Sequence, residues 1–364
     1  MGKKETLSIG SAAICLAVAL TALLTGCSTS QPQPAAPAAN PSTPAPTIKA
    51  GVEGQPGIQW SVDKIKATVA PAQVGKALVP KTWPNGARVG VVISFDTEDE
   101  DAQLARNDIE LSALSDSQYG SHEGLARIIG TLDRLSIPAT FYTPAVNIIL
   151  NPQIVPLIQK SGRNEISLHG YIHESVAPLD NGAEESRLLT QAIDVLTKAS
   201  GKKPTGSRTG AWQVSPYTLG IEQKLGLSYD SSMMGMDVPY EIMSNGQDTG
   251  LVELPVSWVM DDYPTLNDRG SEPSPDLTYK VFRDEFDVAY REHSFFMLTM
   301  HPHVSGRRSR EIYLEQLLEY MKSKPGVWFA TADEVVKYLK TAPIDDTWSP
   351  EKYTVATPQS ADFR

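Results

Sequence analysis

Val89-Gly90-Val91-Val92-Ile93-Ser94-Phe95, followed at once by Asp96-Thr97-Glu98-Asp99-Glu100, is the stretch on which the fold turns. A short, nearly continuous apolar run predicts a strand buried on both faces, as in a parallel sheet. Carboxylates directly behind such a strand are candidates for chemistry, because parallel α/β folds collect their functional groups at the C-terminal ends of strands.

Working outward, further strands are predicted at 139–142, 165–168, 251–256, 295–300 and 327–330. Between them, helical spacing of apolar residues predicts helices at 125–135, 154–159, 184–199, 218–225, 279–292, 310–322 and 332–339. Alternating strands and helices over this length predict an α/β fold, either a barrel or a doubly wound sheet.

Polar clusters recur at the predicted strand ends. The strand at 165–168 runs into His169-Gly170-Tyr171-Ile172-His173-Glu174, and that at 295–300 into His301-Pro302-His303. Four of the six histidines fall in these two clusters. His169 and His173 have the spacing of one helical turn, which would present both imidazoles on one face. A carboxylate from another strand end, Asp96 or Glu98, would complete a two-histidine, one-carboxylate metal site able to activate water. No Gly-x-Ser-x-Gly elbow is present to support a serine nucleophile.

The N-terminus reads differently. Lys3 and Lys4 precede an apolar run at 14–24, too short for a comfortable span and fitting a signal peptide. It ends in Leu24-Thr25-Gly26-Cys27, which resembles a bacterial lipobox; the resemblance implies lipidation of Cys27 and export to the cell membrane or outer membrane. The only other cysteine, Cys15, lies within the signal, so any metal in the exported part must be held by His, Asp or Glu. The expected organisation is a signal at 1–26, a Pro/Ala-rich tether at 27–50, an extension packing on the barrel at 51–87, a catalytic domain at 88–345 and a tail at 346–364. A formal net charge of −11 argues against nucleic acid as a partner and disfavours strongly anionic polymers.

Taken in order, Ser94-Phe95-Asp96-Thr97-Glu98, the His169–His173 cluster, Arg208, Tyr229-Asp230-Ser231-Ser232, Glu253-Leu254-Pro255-Val256-Ser257-Trp258 and Met300-His301-Pro302 resemble the polysaccharide deacetylase family, in its peptidoglycan-deacetylase-like and allantoinase-like branch. The resemblance implies a deformed (β/α) barrel and one divalent metal ion, usually Zn2+. Carried over by motif, Asp96 would be the general base, and Glu98, His169 and His173 the metal ligands. Arg208 would orient the base, His301 would be the general acid and Asp230 would tune it. Tyr171 and Trp258 would shape the substrate pocket, with Asp262 a further pocket residue. Two departures stand out. The first motif is Asp-x-Glu where many members have adjacent aspartates, which keeps Asp99 as an alternative ligand. The arginine motif reads Arg208-Thr209-Gly210-Ala211-Trp212, without the usual proline. The implied function is hydrolysis of a non-peptide C–N amide bond. The substrate would be an N-acetylated envelope polysaccharide or, alternatively, a small cyclic amide or ureide. A non-catalytic surface-binding protein on the same fold is the reading from a different class.

Overall fold

In a computed structural model, residues 55–176, 182–267 and 274–353 are described. Cys27, the apolar run, the tether and the end of the C-terminal tail lie outside them. The chain divides after Gln59 into two units. In the first, Pro56–Gln59 is a 3-10 turn; everything below belongs to the second.

Ten strands run in chain order: β1 (Gln73–Ala77), β2 (Val89–Asp96), β3 (Thr140–Thr143), β4 (Glu165–Leu168), β5 (Gly206–Ser207), β6 (Tyr229–Asp230), β7 (Tyr240–Ser244), β8 (Gln247–Glu253), β9 (Phe295–Met300) and β10 (Val327–Phe329). They form one sheet in the order β1-β7-β8-β6-β5-β4-β3-β2-β10, with β9 on the other edge of β2. The first half of β2 bonds β10 and its second half β3, all in parallel register. A single parallel bridge, Asp261 to Thr299, brings the segment after β8 back to β9. The sheet is thus curled into a deformed barrel, as expected, with helices outside.

The alternation along each strand builds two layers of core. Val92, Tyr142, Tyr229, Val252, Leu254 and Met297 pack on the inner side. Val91, Ile93, Phe95, Phe141 and Leu168 pack outward against helices such as Leu125–Leu135 and Gly182–Ser200. β2 is buried along its whole length, as its apolar composition requires. Ile93 is fully buried, and Ile93→Ala would cost about 2–5 kcal/mol of stability through lost transfer energy and the cavity left behind. Helix Ala332–Leu339 begins with a reciprocal capping box between Thr331 and Glu334.

One predicted strand is displaced by several residues. The 251–256 strand instead covers Gln247–Glu253, because it begins as the second arm of an antiparallel hairpin with β7. The turn is Asn245-Gly246, both at positive φ, the two-residue geometry that Asn-Gly favours. β1 adds to the outer edge of β7, also antiparallel.

Candidate active site

Asp96 ends β2, Glu98 follows two residues later, His169 follows β4, Arg208 follows β5 and His301 follows β9. All five are buried. The barrel therefore converges these groups at one rim.

Glu98 is the meeting point. Its Oε1 lies 3.1 Å from His169 Nε2, 3.1 Å from His173 Nε2 and 3.6 Å from His301 Nε2. Asp99 points elsewhere, accepting from the Ser121 backbone N–H, so Glu98 and not Asp99 joins the imidazoles. His169 Nδ1 lies 2.8 Å from the Arg208 carbonyl, to which it can only donate, which leaves Nε2 as a lone pair. His173 Nε2 is also approached by the Ala211 N–H, at 3.2 Å. Two imidazole nitrogens thus face one carboxylate oxygen, a donor set that calls for a cation between them. It suits a tetrahedral divalent metal with N and O ligands. The same demand shows in the proton affinities. Burial opposes charge on His173, yet Glu98 lifts it to about 9. Burial likewise pushes Glu98 up, but the charge of His173 and hydrogen bonds from the histidines hold it well below the usual carboxylate range.

His169 and His173 converge without a helix. Residues 169–173 form a turn, with Gly170 and His173 at φ +72° and +57°. The Glu174 carboxylate ties it by accepting from the Tyr171 and Ile172 N–H groups. Positive φ at a non-glycine residue is strain that only surrounding structure sustains. Here the Gly210–Trp212 turn supplies it: a Cβ on Gly210 would sit 3.1 Å from His173.

Asp96 is held from two sides. Arg208 Nη1 donates to Oδ1 at 2.6 Å and Trp212 Nε1 to Oδ2 at 3.3 Å. Arg208 also bonds Ser94 Oγ, Ser231 O and Ser231 Oγ, and lies 3.9 Å over the Tyr142 ring. Burial raises the Asp96 carboxyl, but Arg208, His169 and His301 outweigh it and leave it lowered, hence ionised.

His301 Nδ1 donates to Asp262 Oδ1 at 2.8 Å, and Asp261 Oδ1 lies 3.5 Å away. Burial works against its charge, but the bond to Asp262, Glu98 and the charge of Asp261 raise it well above the usual imidazole value. Two expectations are corrected here. Asp230 does not tune His301: strand alternation turns Ser231 inward to Arg208 and Asp230 outward, where it bonds Ser232. Asp262 is not a pocket residue: it is fully buried beneath His301, also accepting from the His301 N–H and Ser305.

The rim opens into a cavity of about 840 Å3 lined by Asp96, Glu98, His173, Asp261 and His301. Its aromatic wall is Trp258 stacked on Trp212 at 4.1 Å, and Tyr263 and His303 also line it. Tyr171 is absent from this lining; its place as an aromatic wall is taken by Trp212. The sequence signal for Trp212 was present, at the point where the arginine motif departs from its usual form. Asp262 carried a weaker one, an Asp-Asp pair just beyond Trp258.

Carboxylate, imidazoles and a separate acid–base pair at one barrel rim define a metal-assisted hydrolase. Residues 113–229 match the family model of the polysaccharide deacetylases. A peptidoglycan deacetylase of Helicobacter pylori is 28% identical over 261 residues, 63% of this chain and 88% of that protein. A solved structure from Mycobacterium smegmatis assigned to the polysaccharide deacetylases superposes with a TM-score of 0.68 at 29% identity, covering 75% of this chain and 98% of that one. The structure of Puue allantoinase shares the fold, with a TM-score of 0.65 at 23% identity over 72% of this chain and 94% of its own. The chain thus contains a polysaccharide deacetylase domain. It is an enzyme of that class.

Proposed function

We propose that this enzyme removes acetyl groups from the N-acetylated sugars of a cell-envelope polysaccharide, with one zinc ion held by Glu98, His169 and His173. The observation that carries the reading is the single Glu98 oxygen shared by two imidazole nitrogens, beside an ionised Asp96 and a charged His301.

When bound, the metal supplies Lewis-acid polarisation of the carbonyl and lowers the pKa of the attacking water. Asp96, fixed by Arg208 and Trp212, accepts a proton from that water as it adds to the acetyl carbon. The C–N bond then breaks, and His301 gives its Nε2 proton to the departing amine. Asp262 holds the other ring nitrogen, so the imidazolium keeps one proton pointed into the cavity. Arg208 acts through Asp96 as a positioning residue. The products are acetate and a free amino sugar. An open cavity walled by the Trp212–Trp258 stack suits a sugar ring better than a small ureide, since aromatic faces pack on the apolar faces of sugars. Export and anchoring through Cys27 would deliver the enzyme to such a polymer.

The test is metal-loaded enzyme assayed for acetate release from N-acetylglucosamine oligomers and for ring opening of cyclic amides and ureides. Acetate release that grows with oligomer length is expected. Turnover of the cyclic amides alone would replace this substrate by the small-molecule class. No turnover of either, with metal bound, would favour the non-catalytic binding protein.

A further inference from the structure

Helix Val62–Val69 buries none of its residues. Val62, Ile65 and Val69 are 65%, 46% and 52% exposed, and their spacing of three and four places them on one stripe of the helix. A helix of this length is marginal in water, and helices in folded proteins owe most of their stability to a packed apolar face. Ser61 caps its start, but among the described residues nothing covers the stripe.

We propose that this stripe lies on the surface of an anionic lipid bilayer. The inference rests on the expectation that Cys27 is lipidated. Three observations favour a membrane over other occupants. First, residues 28–61 alone separate Cys27 from the helix, and a chain of that length reaches at most about 120 Å. The stripe is thereby kept at high effective concentration beside the surface. Second, the charge is local and opposite to that of the whole. On the helix itself Lys64 and Lys66 outnumber the single acid Asp63, in a chain of net charge −11, while Lys76 farther on is paired with Asp346. Basic residues beside an amphipathic helix are drawn to an anionic bilayer. Third, Trp60 sits at the head of the helix with Lys64 Nζ 4.6 Å from its ring centroid. An aromatic and a cation side by side is the composition of a headgroup interface.

The docked helix would do what a tether cannot, fixing how the catalytic body is turned toward the envelope. It lies outside the catalytic machinery, so its loss should spare chemistry on a soluble substrate.

Cys27, blocked by its lipid, is the only cysteine of the processed chain, so Ile65→Cys provides a single free thiol for an environment-sensitive fluorophore. Ile312→Cys, on an exposed position of helix Arg308–Ser323, is the control. The lipidated enzyme is reconstituted into vesicles containing phosphatidylglycerol and brominated lipid. The label at 65 is expected to shift to the blue and lose most of its emission to the brominated lipid, while the label at 312 stays water-like. Val62→Asp with Val69→Asp should abolish the shift and leave acetate release from soluble oligomers unchanged. A water-like label at 65 in vesicle-bound protein overturns the proposal with the anchor intact. A buried label in lipid-free protein also overturns it, pointing to a second copy if the shift depends on concentration and to the chain's own N-terminal segment if it does not. Recovery of the processed protein wholly in the soluble fraction overturns both the anchor and the proposal.

Discussion

Two groups of buried carboxylates lie on opposite faces of the same sheet and have opposite character. At the inner rim, Asp96 and Glu98 meet Arg208 and three histidines, and both are held below the usual carboxylate range despite burial. In the layer between sheet and helix Thr218–Leu225, Glu222, Asp230 and Glu253 are equally buried and meet no cation among the described residues. There burial and mutual repulsion push Glu222 and Glu253 well above the usual range, and burial raises Asp230 too. The register explains the separation: Ser207, Asp230 and Glu253 are direct partners across β5, β6 and β8, while Arg208 and Ser231, one residue on, face inward. Burial alone does not decide whether a carboxylate is an ionised reagent or a neutral packing group; its partners do.

The sharpest way to break this contrast is to remove a ligand from the inner group. His173→Ala should lose the metal, and with it nearly all activity, while the barrel stays folded; metal content after dialysis and circular dichroism check this. Full occupancy in that variant would remove His173 from the ligand set. Next, Asp96→Asn should lower turnover by about 10²–10⁴-fold with metal retained, whereas Asp230→Asn should leave turnover within a few-fold. Comparable losses in both would mean that the two faces are functionally coupled.

A smaller effect is expected at Asp262. It raises the His301 pKa, so Asp262→Asn should move the alkaline limb of the turnover profile, where the acid loses its proton, to lower pH. Asp230→Asn should leave that limb in place. An unmoved limb in Asp262→Asn would make Asp262 purely structural.

The smallest effect is on stability. Glu222 binds its proton more tightly folded than unfolded. Its stabilising contribution is therefore complete below the unfolded value near 4.5 and declines as pH rises above it, through neutrality. Glu222→Gln removes that loss, so melting temperature should fall less between pH 5 and 8 than in the parent. Asp96 and Glu98 have the reverse sign, with their contribution present above the unfolded value and lost as pH falls through the lowered folded one. A Glu222→Gln melting curve as steep in pH as the parent's would show that Glu222 is not among the groups titrating on unfolding.

The same contrast marks what the sequence made legible. β2 and β9 were readable because strands buried on both faces are largely apolar, and the polar residues that end them stand out. Asp96, Glu98 and His301, which the rim brings together, were picked out that way, and His169 and His173 by their spacing. Asp230 was misplaced because it lies at a strand end like the others, and which face a residue takes changes with a shift of one position. His169 and His173 have helical spacing but meet through a turn whose positive φ values no spacing rule contains. Asp262 could not be paired with His301 in advance, since that pairing depends on the isolated Asp261–Thr299 bridge.

The pairing of β2 with β9, in which Gly90 lies beside Phe295 and Phe95 beside Met300, also sets a timetable. The three proposed ligands are all in place within the first half of the chain, but the proton donor, His301, arrives about 130 residues after the last of them, His173. Closing so long a loop is slow, because its entropy is spent before the contacts repay it. A newly made molecule would thus be equipped to capture its metal before it could protonate a leaving group, and maturation of activity should lag behind metal uptake during refolding.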